Sequence, residues 1–168
     1  MKCYDTINRN VLWLKLFKLG INCKCLCIIK DIYRKVKSCV RSCNSYSEYF
    51  EYAIGLRQGE VMSPVMFSLY VEDIELHMQS KVDSGIQIDD IMLIMLLFAD
   101  DMAIFAKTPE ELQDHLNNLL SYCNSSGLHV NTNKTKVMVF RKRGGVKLNE
   151  NWFYDNKLLD KWLIILTI

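Results

Sequence analysis

The chain has 168 residues, of which 50% are hydrophobic and 24% are charged, a composition typical of a globular domain. Seven glycines and two prolines are too few for a flexible linker or a loop-dominated fold. The longest apolar runs, 91–98 and 163–166, are far shorter than the roughly 20 residues that span a bilayer. No apolar leader opens the sequence, so we expect one intracellular domain without a membrane partner. The net charge of +2 neither requires nor excludes nucleic acid.

The seven cysteines are odd in number and irregular in spacing, which favours free thiols in a reducing compartment. Cys23, Cys25 and Cys27 lack the paired spacing of a structural zinc site. Cysteines and aliphatic residues recur at helical spacing over 25–39. We therefore expect the cysteines to pack as small apolar side chains, with zinc binding as the alternative.

Hydrophobic spacing in the first half predicts three helices and one strand. In chain order these are helices over 9–19 and 21–40, a strand over 46–54 and a helix over 63–78. Gly20 is a stop signal for the first helix, and the second carries a basic outer face. A turn with two glycines, Gly55 and Gly59, precedes the third helix, which has Pro64 in its first turn, where a missing N–H is harmless.

The second half predicts strands around one long helix. The predicted elements are a turn over 83–90, strands over 91–98 and 102–106, a helix from Thr108 to Gly127, a strand over 137–140 and a hairpin over 153–158. The apolar run 91–98 suits a strand covered on both faces. Thr108 with Glu111 has the form of a capping box. The fold class is α+β, with helices packed on a small antiparallel sheet.

Two adjacent carboxylates, Asp100 and Asp101, interrupt the apolar strands and form the tip of the predicted hairpin. Carboxylates held together repel unless a cation holds them. Mg²⁺ takes one or two carboxylates and leaves positions for phosphate oxygens, so a magnesium site is one interpretation. The alternative is a solvated turn, because aspartate is favoured in turns. The earlier dipeptide Asp89-Asp90 is interpreted as ordinary turn chemistry.

Four blocks occur in a fixed order: KCYDTINR at 2–9, GLRQGEVMSPVMFSLY at 55–70, FADD at 98–101 and GLHVNTNKTK at 127–136. Together they resemble the palm motifs of reverse transcriptases from non-LTR (LINE-type) retrotransposons, and four ordered blocks are more specific than one motif. The resemblance implies a palm with part of the fingers in a single partial domain, 1–168. The palm core would cover about 1–140 and a terminal hairpin region 141–168.

The activity implied by this resemblance is RNA-directed DNA synthesis, and the implied location is the nucleus. Its implied partners are an RNA template, a DNA primer and deoxynucleoside triphosphates. Two Mg²⁺ ions would serve in-line phosphoryl displacement. Asp100 would bind metal, with Asp101 as its partner, and both would be catalytic. Lys134 matches a lysine assigned as proton donor to pyrophosphate, although a solvated charge is the alternative.

The resemblance also implies a nucleotide pocket. Gln58 and Gly59 would lie against the incoming nucleotide, with a plain turn as the alternative. Tyr4 would screen the sugar 2′ position so that only deoxynucleotides fit, with simple packing as the alternative.

The resemblance further implies contacts with template and primer. Ser63, Pro64 and Phe67 would lie near the template, although Phe67 also suits a core position. Arg141, Lys142 and Arg143 belong to a stretch, 134–147, with six basic residues and no acid. These side chains would give weak, salt-sensitive contacts with primer phosphates, and a solvated surface is the alternative.

The sequence departs from the family pattern at both ends. The principal metal-binding aspartate of the first palm motif would lie two positions before Met1. Asp5 does not replace it, because six residues along a strand correspond to about 20 Å. The fingers tip and thumb are not recognised, and 160–168 reads as either a final strand or the remnant of a longer reading frame. We therefore expect an inactive isolated chain, with a non-catalytic nucleic-acid-binding remnant as the alternative.

Overall fold

The computed structural model describes residues 3–79, 85–141 and 150–165. The chain forms two compact units, Met1–Glu72 and Asp73–Ile168. The first unit contains a 3₁₀ helix Cys3–Thr6, α1 Arg9–Lys18, α2 Cys23–Arg34, β1 Lys37–Ser38, β2 Arg41–Ser42, β3 Ser45–Tyr46, β4 Phe50–Glu51 and α3 Met62–Tyr70. The division of one domain into a palm core and a terminal hairpin region stays a prediction.

Helix α1 begins and ends close to its predicted bounds. The Asn8 side chain accepts hydrogen bonds from the backbone N–H groups of Asn10 and Val11, which satisfies donors that lack partners within the helix. After the helix, Gly20 adopts a left-handed conformation with φ of +82°. Leu12 and Leu16 are fully buried, and α1 packs against both α2 and α3. The predicted helix over 9–19 is therefore confirmed.

Helix α2 ends at Arg34, six residues before its predicted end. Its buried side chains are Leu26 and Tyr33, whereas Cys23, Cys25 and Cys27 are exposed. The prediction that these cysteines pack as apolar side chains is wrong, because the helix turns the face of Leu26 and Tyr33 inward.

The predicted strand over 46–54 is also wrong. The residues after α2 form two short antiparallel pairs, β1 with β4 and β2 with β3. Each pair is only two residues long in register, and the aromatic side chains Tyr46, Tyr49 and Phe50 are exposed. The alternating aromatic pattern therefore does not mark a buried face here.

The predicted helix over 63–78 is interrupted after Tyr70. The Lys15 ammonium donates a hydrogen bond of 2.6 Å to the Tyr70 carbonyl and lies 5.0 Å from the centre of its ring. In a continuous helix that carbonyl would accept the N–H of Ile74. A new helix, α4 Ile74–Gln79, begins instead in the second unit.

In the part of the second unit that the structure describes, α4 is followed by nine further elements. These are β5 Ile86–Ile88, β6 Ile91–Leu93, β7 Met95–Phe98, β8 Asp101–Ile104, α5 Pro109–Ser126, β9 Lys136–Arg141, β10 Phe153–Tyr154, β11 Lys157–Leu158 and β12 Asp160–Ile165. Helix α5 packs against α4 and β10. Its buried side chains include His115, Leu116, Leu119 and Tyr122.

Both ends of α5 are as predicted. The Thr108 hydroxyl accepts a hydrogen bond of 3.2 Å from the Glu111 N–H, and the Glu111 carboxylate accepts one of 2.9 Å from the Lys107 N–H. The carboxylate therefore reaches one residue beyond the threonine of the predicted capping box. Gly127 ends the helix with φ of +67°.

The described strands form two-stranded ladders rather than one sheet. Antiparallel ladders join β1 to β4, β2 to β3, β5 to β6, β7 to β8 and β10 to β11, and a parallel ladder joins β9 to β12. The mixture of helices and strands is confirmed. The predicted small antiparallel sheet is not formed within these strands, and the specific palm arrangement stays a prediction.

The apolar run 91–98 is divided at Ile94 between two separate hairpins, β5–β6 and β7–β8. Leu96, Leu97 and Phe98 are exposed, so the prediction of a strand covered on both faces is wrong. The hairpin over 153–158 is confirmed as β10–β11. Within the divergent last segment, Asp160–Ile165 form β12, and Asp160 at its start pairs with Lys136. No helix within 3–79, 85–141 or 150–165 has both the length and the apolar character needed to cross a bilayer.

Candidate functional site

The predicted site residues are divided between the two units. Tyr4, Gln58, Gly59, Ser63, Pro64 and Phe67 belong to the first unit, and Asp100, Asp101, Lys134 and Arg141 to the second. Lys142 and Arg143 lie outside the described residues. Each group is described within its own unit.

In the first unit, the 3₁₀ helix is joined to the two-glycine turn by close backbone contacts. The N–H of Leu56 donates to the Tyr4 carbonyl at 2.7 Å, and that of Gly55 donates to the Ile7 carbonyl at 2.8 Å. Gly55 has φ of +82°, and a Cβ there would lie 2.9 Å from the carbonyl oxygens of Tyr4 and Asp5. Glycine is therefore required at position 55 for both its conformation and its lack of a side chain.

Arg9 holds the same turn from the other side and was not singled out from the sequence. Its guanidinium donates to the carbonyls of Gly55 at 2.8 Å, Tyr33 and Tyr52 at 3.1 Å, and Ile54 at 3.4 Å. It also lies over the rings of Tyr33 and Tyr52, 5.1 and 5.2 Å from their centres. Arg9 is only 7% exposed, and burial lowers the pKa of its guanidinium. From the sequence alone, a buried arginine that binds backbone carbonyls cannot be distinguished from a solvated basic residue at a helix start.

The contacts between the 3₁₀ helix Cys3–Thr6 and the two-glycine turn 55–59 are called the joint from here on. The predicted nucleotide residues lie around this joint. The Tyr4 ring packs against Phe67, with 5.2 Å between ring centres, and Phe67 is buried. The Gln58 amide nitrogen donates a hydrogen bond of 2.8 Å to a carboxylate oxygen of Asp5. Gly59 has φ of +81°, and the space where its side chain would lie is open to 4 Å. The structure therefore places Tyr4, Phe67 and Gln58 at the joint. Gly59, next to Gln58, leaves open space at the position where a side chain would lie.

The start of α3 is fixed by hydrogen bonds around Tyr33. The Tyr33 hydroxyl donates to the Glu60 carboxylate at 3.0 Å, and the Ser63 hydroxyl donates to the Arg57 carbonyl at 2.6 Å. Burial raises the pKa of the Tyr33 phenol. Ser63 is 1% exposed, whereas Pro64, in the first turn of α3, is exposed. Template contact by this helix start stays a prediction, and Pro64 has the exposure that such a contact needs.

In the second unit, Asp100 and Asp101 stand at the tip of the β7–β8 hairpin. Phe98 pairs with Asp101, so Ala99 and Asp100 form the two-residue turn. Ala99 has φ of +53°, an uncommon conformation for a residue with a side chain. Both aspartates are exposed, and Phe98 is 83% exposed. The predicted hairpin with an acidic tip is confirmed, with Asp101 as the first residue of a strand.

The acidic tip offers oxygen ligands of the kind that Mg²⁺ prefers. Two adjacent exposed carboxylates match the one or two that Mg²⁺ commonly takes from a protein, with water and phosphate oxygens completing its coordination. Among the described side chains, no group of three or more His, Cys, Asp or Glu is placed to hold a metal. The donor set therefore fits a magnesium ion shared with a phosphate ligand and does not fit a closed structural site.

The second acidic dipeptide provides an internal reference. Asp89 and Asp90 form the turn between β5 and β6, and Asp89 has φ of +50°. The Gln87 amide donates a hydrogen bond of 2.6 Å to the Asp89 carbonyl. The prediction of ordinary turn chemistry at these two residues is confirmed.

The basic residues lie at the start and end of β9. Lys134 is exposed in the turn before this strand, where its N–H donates to the Asn131 carbonyl at 3.0 Å. Lys136 forms an ion pair with Asp160, and Arg141 is the last residue of the strand. Lys134 is therefore exposed to solvent, as a contact with phosphate would require.

The comparisons with known proteins agree with this description. The family model described as reverse transcriptase (RNA-dependent DNA polymerase) matches residues 1–157, and the chain belongs to this family. A relative from Drosophila melanogaster, named as a retrovirus-related Pol polyprotein from the type-2 retrotransposable element R2DM, is 32% identical over 88 residues. The match covers 52% of this chain and 8% of that relative. The predicted resemblance to a non-LTR retrotransposon reverse transcriptase is confirmed.

Proposed function

We propose that this chain supplies the nucleotide pocket and the metal-binding hairpin of an RNA-directed DNA polymerase from a non-LTR retrotransposon. The reaction adds a deoxynucleotide to a primer. The primer 3′-oxygen bonds to the α-phosphorus, and the bond from that phosphorus to pyrophosphate breaks. The observation that carries the proposal is the joint at Gly55, where the Leu56 N–H donates to the Tyr4 carbonyl and the Gln58 amide donates to Asp5, although these partners lie more than 50 residues apart in the sequence.

The Tyr4 ring is the proposed screen against ribonucleotides. Its contact with the buried ring of Phe67 restricts its movement, so the ring presents a fixed surface. Because a fixed ring excludes a 2′-hydroxyl better than a mobile one does, Phe67 supports selectivity without contacting the nucleotide. Gln58 and Gly59, in the neighbouring turn, are the proposed contacts with the nucleotide itself.

Asp100 and Asp101 are the proposed metal ligands. Bound Mg²⁺ ions would supply activation of the primer hydroxyl and stabilisation of the departing pyrophosphate. The two carboxylates hold negative charge at an exposed turn, where triphosphate oxygens have access. Lys134 is the proposed proton donor to pyrophosphate. Arg141, Lys142 and Arg143 are proposed to contact primer phosphates. A nuclear location follows from the resemblance alone and stays a prediction.

The proposal is tested by binding of a fluorescent DNA primer on an RNA template. With Mg²⁺, the next complementary deoxynucleotide is expected to tighten primer binding roughly tenfold, which corresponds to about 1.4 kcal/mol. Asp100→Asn removes this gain, because it removes one metal ligand. Asp89→Asn makes the same change in the other acidic turn and is expected to retain the gain.

An equal gain in the Asp100→Asn variant, or with a non-complementary nucleotide, would contradict the proposal. Salt-sensitive primer binding that no nucleotide alters would favour the alternative function, binding of nucleic acid without catalysis. The predicted inactivity of the isolated chain is tested separately by primer extension. Product formation that Asp100→Asn abolishes would overturn that prediction.

A further inference from the structure

Asp5 and Gln58 form a hydrogen-bonded pair that joins the 3₁₀ helix to the two-glycine turn. We propose that Asp5 is a positioning residue that fixes the orientation of the Gln58 carboxamide in the nucleotide pocket. The inference rests on the proposed function, because Gln58 is there a contact with the deoxynucleoside triphosphate. Asp5 acts through Gln58 and is not itself a ligand of nucleotide or metal.

The chemistry of the pair determines the orientation. A carboxamide has a donor end and an acceptor end, and the two are nearly equal in shape. An ionised carboxylate only accepts hydrogen bonds. The Asp5 carboxylate therefore accepts from the Gln58 nitrogen, as observed at 2.8 Å, and disfavours the flipped amide.

The backbone around both residues is fixed, so the pair does not depend on two mobile loops meeting by chance. The Tyr4 carbonyl, next to Asp5, accepts the Leu56 N–H at 2.7 Å. Gly55, three residues before Gln58, lies against the Tyr4 and Asp5 carbonyls and is held by Arg9. Both side chains therefore start from anchored backbone and need to order only their own rotamers.

A neutral substitution of Asp5 distinguishes control of the Gln58 amide orientation from a hydrogen bond that merely links the two residues. Asparagine at this position has the same shape, and its side chain both accepts and donates. Asp5→Asn therefore permits a hydrogen bond to Gln58 in either orientation of the glutamine amide. A role in holding the chain together would survive this change, whereas control of the amide orientation would not.

The first measurement follows the side-chain amide signals of Gln58 in nitrogen–proton NMR spectra of the full chain. Asp5→Asn is expected to shift these signals and to speed exchange of the amide protons with water. Asp31→Asn is the matched control, because Asp31 is an exposed acid of the same unit that pairs with Arg34. An unchanged Gln58 signal in the Asp5→Asn variant would overturn the inference, whatever the nucleotide data show.

The second measurement is affinity for a deoxynucleoside triphosphate with Mg²⁺. Asp5→Asn is expected to weaken binding about 3- to 10-fold, the range of one ordinary net hydrogen bond, with no change in the urea unfolding midpoint. A double variant, Asp5→Asn with Gln58→Glu, exchanges the donor and acceptor of the pair. It is expected to restore the bond and not the affinity, because Gln58 no longer offers a carboxamide.

The outcomes separate this inference from the proposed function. Restored affinity in the double variant, or equal affinity of Asp5→Asn and the unmodified chain, would overturn the positioning role. Failure of the unmodified chain to bind any deoxynucleotide would overturn the proposed function and the nucleotide part of this inference. In that case the Gln58 signal would still decide whether Asp5 sets the amide orientation.

Discussion

The joint at Gly55 in the first unit and the acidic hairpin in the second are built in different ways. The joint is assembled from residues far apart in the chain and is held by backbone hydrogen bonds and the buried guanidinium of Arg9. The hairpin is local, with a two-residue turn, and its side chains at the tip are exposed. The comparison shows that long-range contacts hold the proposed nucleotide residues in place, whereas a local turn alone places the two proposed metal ligands side by side.

The largest expected effect is loss of the guanidinium at the joint. Arg9→Met leaves several carbonyls without their donor and is expected to lower the free energy of unfolding by about 3–4 kcal/mol. Lys18→Met, on the exposed end of α1, is expected to change it by less than about 0.5 kcal/mol. Urea denaturation measures both. Equal losses of stability in the two variants would mean that Arg9 stabilises the joint no more than an exposed lysine stabilises α1.

The next effect concerns the glycine in the joint. Gly55→Ala is expected to cost about 2–3 kcal/mol, because it adds a clash to an unfavourable positive φ. Gly20 has the same φ of +82° and nothing within 4 Å of its added Cβ, so Gly20→Ala is expected to cost only about 1 kcal/mol. The difference between the two, measured by thermal or urea unfolding, isolates the close approach. No difference would mean that the contact with the Tyr4 and Asp5 carbonyls is dispensable.

The interior of the second unit is held partly by a phenol, which makes it sensitive to high pH. The Tyr122 hydroxyl donates to Asp73 at 2.6 Å, and burial, then this bond, raises the pKa of Tyr122 above its ordinary value of 10.0. The folded state therefore favours the protonated phenol, and stability present below pH 10 is lost as the pH rises. Tyr122→Phe is expected to reduce that loss by about 1.4 kcal/mol per pH unit above pH 10.

The control for this prediction is Tyr46→Phe, because Tyr46 is 67% exposed. It is expected to leave the alkaline loss of stability unchanged. Urea unfolding between pH 9 and 11 measures all three proteins, and an equal slope in the Tyr122→Phe variant would contradict the assigned role of the phenol.

The smallest effect lies in the acidic hairpin. Ala99→Gly is expected to raise the free energy of unfolding by about 0.5–1 kcal/mol, because glycine adopts the observed φ of +53° without strain. Hydrogen exchange across β7 and β8 would report this as slower opening of the hairpin. Destabilisation by Ala99→Gly would show that the hairpin is more tightly constrained than its exposure indicates.

The sequence predicted those parts of the molecule that depend on neighbouring residues. Helices α1 and α5, the Thr108 cap and the acidic hairpin follow from local periodicity and turn chemistry, and all were confirmed. The contact of Arg9 with Gly55 and the pair Asp5–Gln58 join residues 46 and 53 positions apart. The spacing of apolar residues within helices and strands does not predict contacts between residues so far apart in the sequence.

The errors have the same physical origin. Helix α3 ends at Tyr70, whose carbonyl accepts a hydrogen bond from Lys15, 55 positions away, and the apolar pattern over 63–78 does not predict such a distant contact. The exposed cysteines of α2 follow from the choice of Leu26 and Tyr33 as its buried face, which packing against α1 determines. The apolar run 91–98 predicts a covered strand, and the prediction fails because an apolar run does not reveal which residues lie at a hairpin tip.

The most direct test of the central claim is whether the acidic tip binds a divalent cation selectively. Mn²⁺ accepts the same oxygen ligands as Mg²⁺ and broadens the NMR signals of nearby nuclei. In the presence of a deoxynucleoside triphosphate, Mn²⁺ is predicted to broaden the backbone amide signals of Asp100 and Asp101 at concentrations that leave those of Asp89 and Asp90 sharp. Equal broadening at the two dipeptides, or none at Asp100, would contradict the account.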